Sequence, residues 1–372
     1  MILSPDRPRS TPPPGPAPRR QRLRRSDCSG AGLTRVRRGS GFSYRDIEDR
    51  PVKDPEQVLR LRALAIPPAW QEVWICADPL GHLQATGIDA AGRKQYLYHS
   101  RWREMQDRKK FDHMVLFARA LPKLRGRMLA DLEGDDLGPE RVLACAARLL
   151  DIGLFRIGGE KYADDEGGVG LATVEKAHVT VRDGEIVFDY LAKAGVRRVQ
   201  AIHDPPAIAV VSALRRRRSG PTQLLAYREG SRWHRVRSEQ ISEYLKQIIG
   251  DEFRAKDFRT WNATVLAAVS VAADGRQART QRARRRVIDG AVRGVSEVLG
   301  NTPAVARRAY IDPRVFDRYL SGWTIGGELD RSGALDGPDD RRRARLEKAV
   351  LELLDDARSS RAVERLAPAQ AV

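Results

Sequence analysis

His178-Val179-Thr180-Val181-Arg182-Asp183-Gly184-Glu185-Ile186-Val187-Phe188-Asp189-Tyr190-Leu191 is the stretch that decides the fold. β-Branched and aromatic residues alternate with polar ones on both sides of Asp183-Gly184. Asp-Gly favours a two-residue hairpin, whose turn positions both need positive φ. A second turn, Ala192-Lys193-Ala194-Gly195, leads into a third extended run from Val196 to Ile202 and puts Lys193 at its tip. On either side the period changes. Phe111 to Leu121, Pro139 to Ile152 closed by Gly153, and Ser238 to Ile249 closed by Gly250 carry apolar residues at helical spacing. The expectation is a small hairpin sheet set as an island in a mainly helical domain.

Toward the N-terminus the pattern becomes β-rich. Val73 to Cys76 and His82 to Gly87 read as short strands joined by the turn Asp78-Pro79-Leu80-Gly81. Lys94 to His99 alternates again, placing Tyr96 and Tyr98 on one face. These runs give a small β-rich domain over residues 41–106 and a helical domain over 107–372. The helical domain ends in a charged extension, Arg341 to Leu366, with Leu346, Val350, Leu353 and Leu354 as its apolar stripe. Residues 1–40 hold seven prolines, ten arginines and two aspartates without apolar periodicity. They read as a disordered basic tail, either adding phosphate contacts or merely solvated. The fold class is α+β.

The net charge is +18 and the pI about 10.3. Such an excess concentrates polyanions, and nucleic acid is the leading candidate. Cys28, Cys76 and Cys145 stand too far apart for a disulfide framework or a zinc site. No apolar run approaches the ~20 residues of a membrane span, so a cytoplasmic protein is expected. GxxxxGK[ST], HExxH and EF-hand spacings are missing, and no metal or cofactor is expected.

Without a metal, cationic side chains must meet a phosphate, and an arginine fork matches two of its oxygens. Arg156 stands among apolar residues and two glycines in Leu154 to Tyr162. Arg259 stands in Phe258-Arg259-Thr260-Trp261, entering the apolar run Ala263 to Ala272. Either could instead be a structural ion-pair partner. The runs Arg215–Arg218 and Arg284–Arg286 read as solvated faces without chemistry. In Asn301 to Pro313, Thr302 is a plausible N-cap and Pro303 suits the first helical turn. Pro313 stops the helix just after Tyr310, beside Arg307 and Arg308. Such a tyrosine is as readily a core or interface residue.

Together these segments resemble the type IB DNA topoisomerases, in the bacterial form of their poxvirus-like branch. The similarity rests on Leu154 to Tyr162, Val169 to Thr173, Lys193 in its turn, Lys256 to Trp261 and Leu299 to Pro313. Ile66 to Trp70, Gly81 to Ala85 and Gly92 to Tyr96 carry it in the small domain, so it spans about Gly41 to Trp323. The resemblance implies that Tyr310 attacks a DNA phosphodiester and Arg156 and Arg259 hold the nonbridging oxygens. It also implies that Lys193 protonates the departing 5′-oxygen and Asn301 donates to a nonbridging oxygen. Tyr96, Tyr98, Tyr162, Lys94 and Gln95 would contact the DNA. ATP-independent relaxation of duplex DNA by a monomer follows, with weak sequence preference and a nucleoid location. Two departures stand out: Ala192 replaces the usual glycine before Lys193, and Asn301 takes a place where many relatives have histidine.

Two other readings keep the charge. A tyrosine recombinase shares the nucleophile, and its HxxR signature has a nominal match in His234-Arg235-Val236-Arg237. Arg237, however, lies 73 positions before Tyr310, where recombinases place that arginine a few tens of residues away. A noncatalytic basic DNA-binding protein would form no covalent adduct.

Overall fold

Strands with one apolar face close the first of two compact units, Met1–Lys110 and Phe111–Val372. The computed structural model describes residues 22–159, 168–192, 195–332 and 339–368. In the first unit β1 (Leu33–Arg38), β2 (Gly41–Arg45), β3 (Gln71–Ile75), β4 (Leu83–Ile88) and β5 (Lys94–Tyr98) form one antiparallel sheet in the order β2-β1-β3-β4-β5. Its core of Leu33, Tyr44, Val73, Ile75 and Ala85 takes in Leu61 of helix α1 (Pro55–Ala63).

This corrects the sequence reading of residues 1–40, because β1 lies inside that supposed tail. Leu33 is buried opposite Ile75, and Arg35 donates to the carbonyls of Ile66, Pro67 and Trp70 at 2.8–3.0 Å. The Arg35 guanidinium also lies 4.1 Å from the Phe42 ring centre. An arginine that satisfies three carbonyls can sit within a fold, which a reading by composition overlooks.

The second unit is helical. Helix α2 (Ser100–Leu132) runs past Pro122, where the sequence suggested an end at Leu121, and the division between the units falls within it, beyond residue 106. Proline costs ~3 kcal/mol inside a helix. Burial of Phe111, Met114, Phe117, Leu121, Leu124, Met128 and Leu132 along one stripe outweighs that. There follow α3 (Pro139–Gly153), α4 (Pro205–Arg216), α5 (Ser238–Ile249), α6 (Ala255–Asp274), α7 (Gln281–Leu299), α8 (Pro303–Ala309), α9 (Pro313–Leu320), α10 (Gly326–Ser332) and α11 (Asp340–Leu354).

Between α3 and α4 stands the expected island. Strands β6 (Val179–Arg182), β7 (Glu185–Leu191) and β8 (Arg197–Ile202) pair antiparallel in that order. Asp183 and Gly184 take φ of 50° and 75°, the turn that Asp-Gly favours. Ile186, Phe188 and Tyr190 face the core, while Asp189 and Leu191 face out. A second hairpin, β9 (Ala226–Glu229) and β10 (Arg232–Arg235), precedes α5. The two-residue strands β11 (Trp323–Thr324) and β12 (Glu364–Arg365) tie the segment after α11 back onto the unit. No helix among the described residues is long and apolar enough to cross a membrane.

Two supposedly solvated arginine runs each bury one member. Arg217 donates to the carbonyls of Leu214, Pro221, Gln223 and Leu224, and Arg284 to those of Leu320 and Ala367. Guanidinium groups here close loops onto helix ends.

Candidate active site

Three helix ends converge in the second unit, those of α3, α7 and α8. Helix α3 stops with Leu154 in the left-handed region, at φ 52° and ψ 28°, which turns the chain outward toward Arg156. Gly153 ends the helix for a reason other than φ: a Cβ there would come within 2.3 Å of the Phe155 ring. The Arg156 loop is fixed by backbone bonds from Leu171 to Arg156 (2.9 Å) and from Ala172 to Ile157 (2.8 Å). Gly158 and Gly170 lie back to back along this contact. A Cβ on Gly170 would stand 2.4 Å from the Gly158 Cα, so side chains on either would part the two backbones.

Helix α6 supplies the second arginine. Arg259 is 2% exposed and donates from Nη1 to the Leu154 carbonyl and from Nη2 to the Leu299 carbonyl at 2.8 Å. The ends of α3 and α7 are therefore held by one guanidinium. One turn further along α6, the buried Thr264 hydroxyl shares its proton between the Thr260 carbonyl (2.9 Å) and the Tyr310 carbonyl (3.3 Å) and accepts from the Asp312 amide (3.1 Å). Tyr310 caps the C-terminus of α8, half-buried, and the Arg259 guanidinium carbon lies 5.3 Å from its ring centre. Asn301, just past α7, accepts a hydrogen bond from Arg156 Nη2 at 2.5 Å. The Asn301 amide nitrogen is buried and has no hydrogen-bond partner among the described residues.

A third guanidinium joins them. Arg198 of β8 reaches the carbonyls of Gly153, Leu154 and Leu299 at 3.2–3.5 Å. Among the described residues no carboxylate lies at ion-pair distance from Arg156, Arg198 or Arg259. Burial pulls the Arg198 and Arg259 guanidinium groups below their ordinary value, and the neighbouring Arg156 cation adds to this. Burial raises the Tyr190 phenol, against the pull of Arg198, Arg259 and Arg156. Like charges gathered without counterions are costly unless an anion joins them. A cavity of about 410 Å³ opens onto this cluster, lined by Arg156, Arg198, Val196, Val199, Gly300 and one carboxylate, Glu297, among others.

A model of the eukaryotic DNA topoisomerase I catalytic core matches residues 99–320, well over half of the chain. The chain belongs to the type IB DNA topoisomerase family. A model of the N-terminal domain of bacterial DNA topoisomerase IB matches residues 41–89. The chain is 27% identical to DNA topoisomerase 1B of Acanthamoeba polyphaga mimivirus over 296 residues, which is 77% of this chain and 87% of that one. It is 20% identical to DNA topoisomerase 1B of vaccinia virus strain Copenhagen over 248 residues, 67% and 75% of the two chains. Against DNA topoisomerase 1 of Schizosaccharomyces pombe it is 27% identical over 164 residues, 44% of this chain and 19% of that one.

Of the topoisomerase residues expected from the sequence, Arg156, Arg259, Asn301 and Tyr310 come together in the second unit. Lys193 and Tyr162 lie outside the described residues. Lys94, Gln95, Tyr96 and Tyr98 sit on β5 of the first unit, where the Tyr96 and Tyr98 rings stack at 6.2 Å and Lys94 lies 6.0 Å from the Tyr96 ring. Gln95 is held by Asp89 at 2.8 Å. The HxxR segment falls on β10 and the residues after it, where His234 stacks on Tyr227 at 5.4 Å and pairs with Glu229. Sequence reasoning missed Arg198, Gln200 and Thr264. For the first two a signal existed: polar residues at alternate positions of one strand, 198 and 200, on the face that ends in buried Ile202.

Proposed function

We propose that this topoisomerase relaxes DNA by a 3′-phosphotyrosyl intermediate formed on Tyr310. The Tyr310 phenol gives up its proton to water as its oxygen attacks the scissile phosphorus, the bond to the 5′-oxygen breaks, and that oxygen leaves with a proton from Lys193. Arg156 and Arg259 hold the nonbridging oxygens, and the unpartnered Asn301 amide donates to one of them. Each such donor contributes ~3–4 kcal/mol as charge builds in the transition state. The phosphotyrosine diester conserves the energy of the broken link, so the 5′-hydroxyl reverses the step without ATP after the strand has swivelled. One observation carries this reading: Arg259 lies against the Tyr310 ring with Arg156 and Arg198 beside it, and no described carboxylate stands within ion-pair distance of them.

On the first unit, the exposed Tyr96 ring stacked on Tyr98, with Lys94 and Gln95 alongside, is suited to the DNA backbone, and Tyr162 joins them in this reading. The protein acts as a monomer on nucleoid DNA in a bacterial cytoplasm. The match of residues 41–89 to a bacterial domain and the charge of +18 support that setting. The test is supercoiled plasmid incubated in EDTA without ATP. The wild type relaxes it and Tyr310→Phe does not; equal relaxation by both, or a requirement for metal, overturns the mechanism. Sedimentation of the active protein as a dimer would overturn the monomer.

A further inference from the structure

Arg198 does more in this structure than add a third positive charge. Its strand, β8, begins four positions after Lys193 in the sequence, and its side chain leaves the sheet on the core side, opposite in register to Tyr190. The guanidinium carbon lies 5.7 Å from the Phe155 ring centre. Nε and Nη2 donate to the Gln200 side-chain oxygen at 3.0 and 2.8 Å. Nη2 also reaches the Gly153 and Leu154 carbonyls at 3.2 and 3.4 Å, and Nη1 reaches Leu299 at 3.5 Å. Gln200 Nε2 donates to the same Gly153 carbonyl at 2.6 Å.

Leu154 and Leu299 are the carbonyls that Arg259 holds, and they stand two residues before Arg156 and Asn301. One pair of carbonyls is therefore shared by a guanidinium from α6 and a guanidinium from the hairpin. The Val169 amide also donates to the Leu191 carbonyl at 3.0 Å, at the end of β7, but the outward residues of β8, Arg197, Val199 and Ala201, are all exposed. A lysine at 198 would keep the charge, but one ammonium cannot span carbonyls on two helix ends.

We propose that Arg198 is a positioning residue that sets the register of the Lys193 hairpin against the Arg156 and Arg259 pair, with Gln200 as its brace. The proposal rests on the mechanism above, in which Lys193 protonates the leaving 5′-oxygen. Removing Arg198 leaves Arg259 with its own carbonyl bonds, so the loss falls on the leaving-group side.

The experiment is single-turnover formation of the Tyr310 adduct on two duplexes, one ordinary and one with sulfur replacing the bridging 5′-oxygen at the cleavage site. A 5′-thiolate departs without a proton. Arg198→Met is expected to slow the ordinary duplex about a hundredfold, the scale of a misplaced general acid, and the sulfur duplex only a few-fold. Arg198→Lys and Gln200→Leu should give smaller losses with the same sparing by sulfur, and they keep the test alive if Arg198→Met fails to fold. Equal slowing on both duplexes, or a wild-type rate on the ordinary one, overturns the proposal. Lys193→Ala, run in parallel, separates the two ideas. If sulfur spares Lys193→Ala but not the Arg198 and Gln200 variants, the positioning role alone falls; if sulfur does not spare Lys193→Ala, the acid assignment falls and takes the proposal with it.

Discussion

Asn301 is where one amide does two jobs that can be pulled apart. Its oxygen accepts from Arg156 at 2.5 Å, and its nitrogen is buried without a partner among the described residues, which makes it the donor left over for a ligand. Asn301→Ala removes both functions and should lower the single-turnover cleavage rate roughly tenfold to a hundredfold. Asn301→Asp preserves an acceptor for Arg156 but removes the donor and sets a negative charge where the phosphate belongs. It should therefore be slower than Asn301→Ala by about another tenfold, the scale of one misplaced charge in a partly buried site. An Asp variant faster than the Ala variant would mean that Arg156 geometry matters and the amide donor does not. Arg259 makes the complementary case. Arg259→Lys keeps the cation but cannot hold the ends of α3 and α7 together, and a loss of about a hundredfold in adduct formation is expected. A rate within threefold of wild type would show that charge alone suffices.

Helix α6 organises the site because three side chains on one rod reach three chain segments: Arg259 the ends of α3 and α7, Asn262 the Asp151 carbonyl, and Thr264 the backbone around Tyr310. Helix α11, beyond the residues that the catalytic-core model matches, braces the same C-terminal end of α3. Arg343 donates to Asp151 at 2.7 Å and to Asn262 at 3.0 Å, and Arg125 of α2 bonds both Asp151 (2.8 Å) and Glu347 (2.6 Å). Burial alone would raise the Asp151 carboxyl, but Arg343 and Arg125 outweigh it and hold it below the usual carboxylate range. A folded-state value below the unfolded one gives stability that is present above about pH 4 and is lost as pH falls further. Asp151→Asn should cost about 3 kcal/mol near neutrality, measured by urea unfolding, with a gap to wild type that narrows in acid. A gap unchanged at pH 3 would deny the brace its charge. The sequence announced α11 by its apolar stripe but not this role, since Arg343 and Asp151 lie 192 positions apart and only the fold joins them. The β6–β7 hairpin was legible because Asp183-Gly184 fixes its turn locally. Strand β1 was not, because beside the buried Leu33 its next residue on that face is Arg35, satisfied by distant carbonyls that no local pattern reveals.

At the scale of the molecule the charge of +18 is divided between two uses, which composition could not separate. Arg35, Arg217, Arg284 and Arg259 are spent on carbonyls inside the fold, while the arginines of residues 1–21 stand outside the described structure. Arg7, Arg9, Arg19 and Arg20 against the single Asp6 give that segment a net positive charge in either use. Each cation that meets a phosphate releases counterions, so log K falls with log salt by ~0.9 per contact on duplex DNA. If the segment contributes phosphate contacts, deleting residues 1–21 should weaken plasmid binding at low salt and flatten the salt slope by about 3. Single-turnover cleavage at saturating protein should not change, because Arg156, Arg259, Asn301 and Tyr310 all lie in Phe111–Val372. Filter binding of both proteins across a salt series measures the slope, and quench-flow at saturation measures the rate. An unaltered slope would assign the DNA-directed charge wholly to the folded units, whereas a slower saturated rate would tie the segment to the chemistry itself.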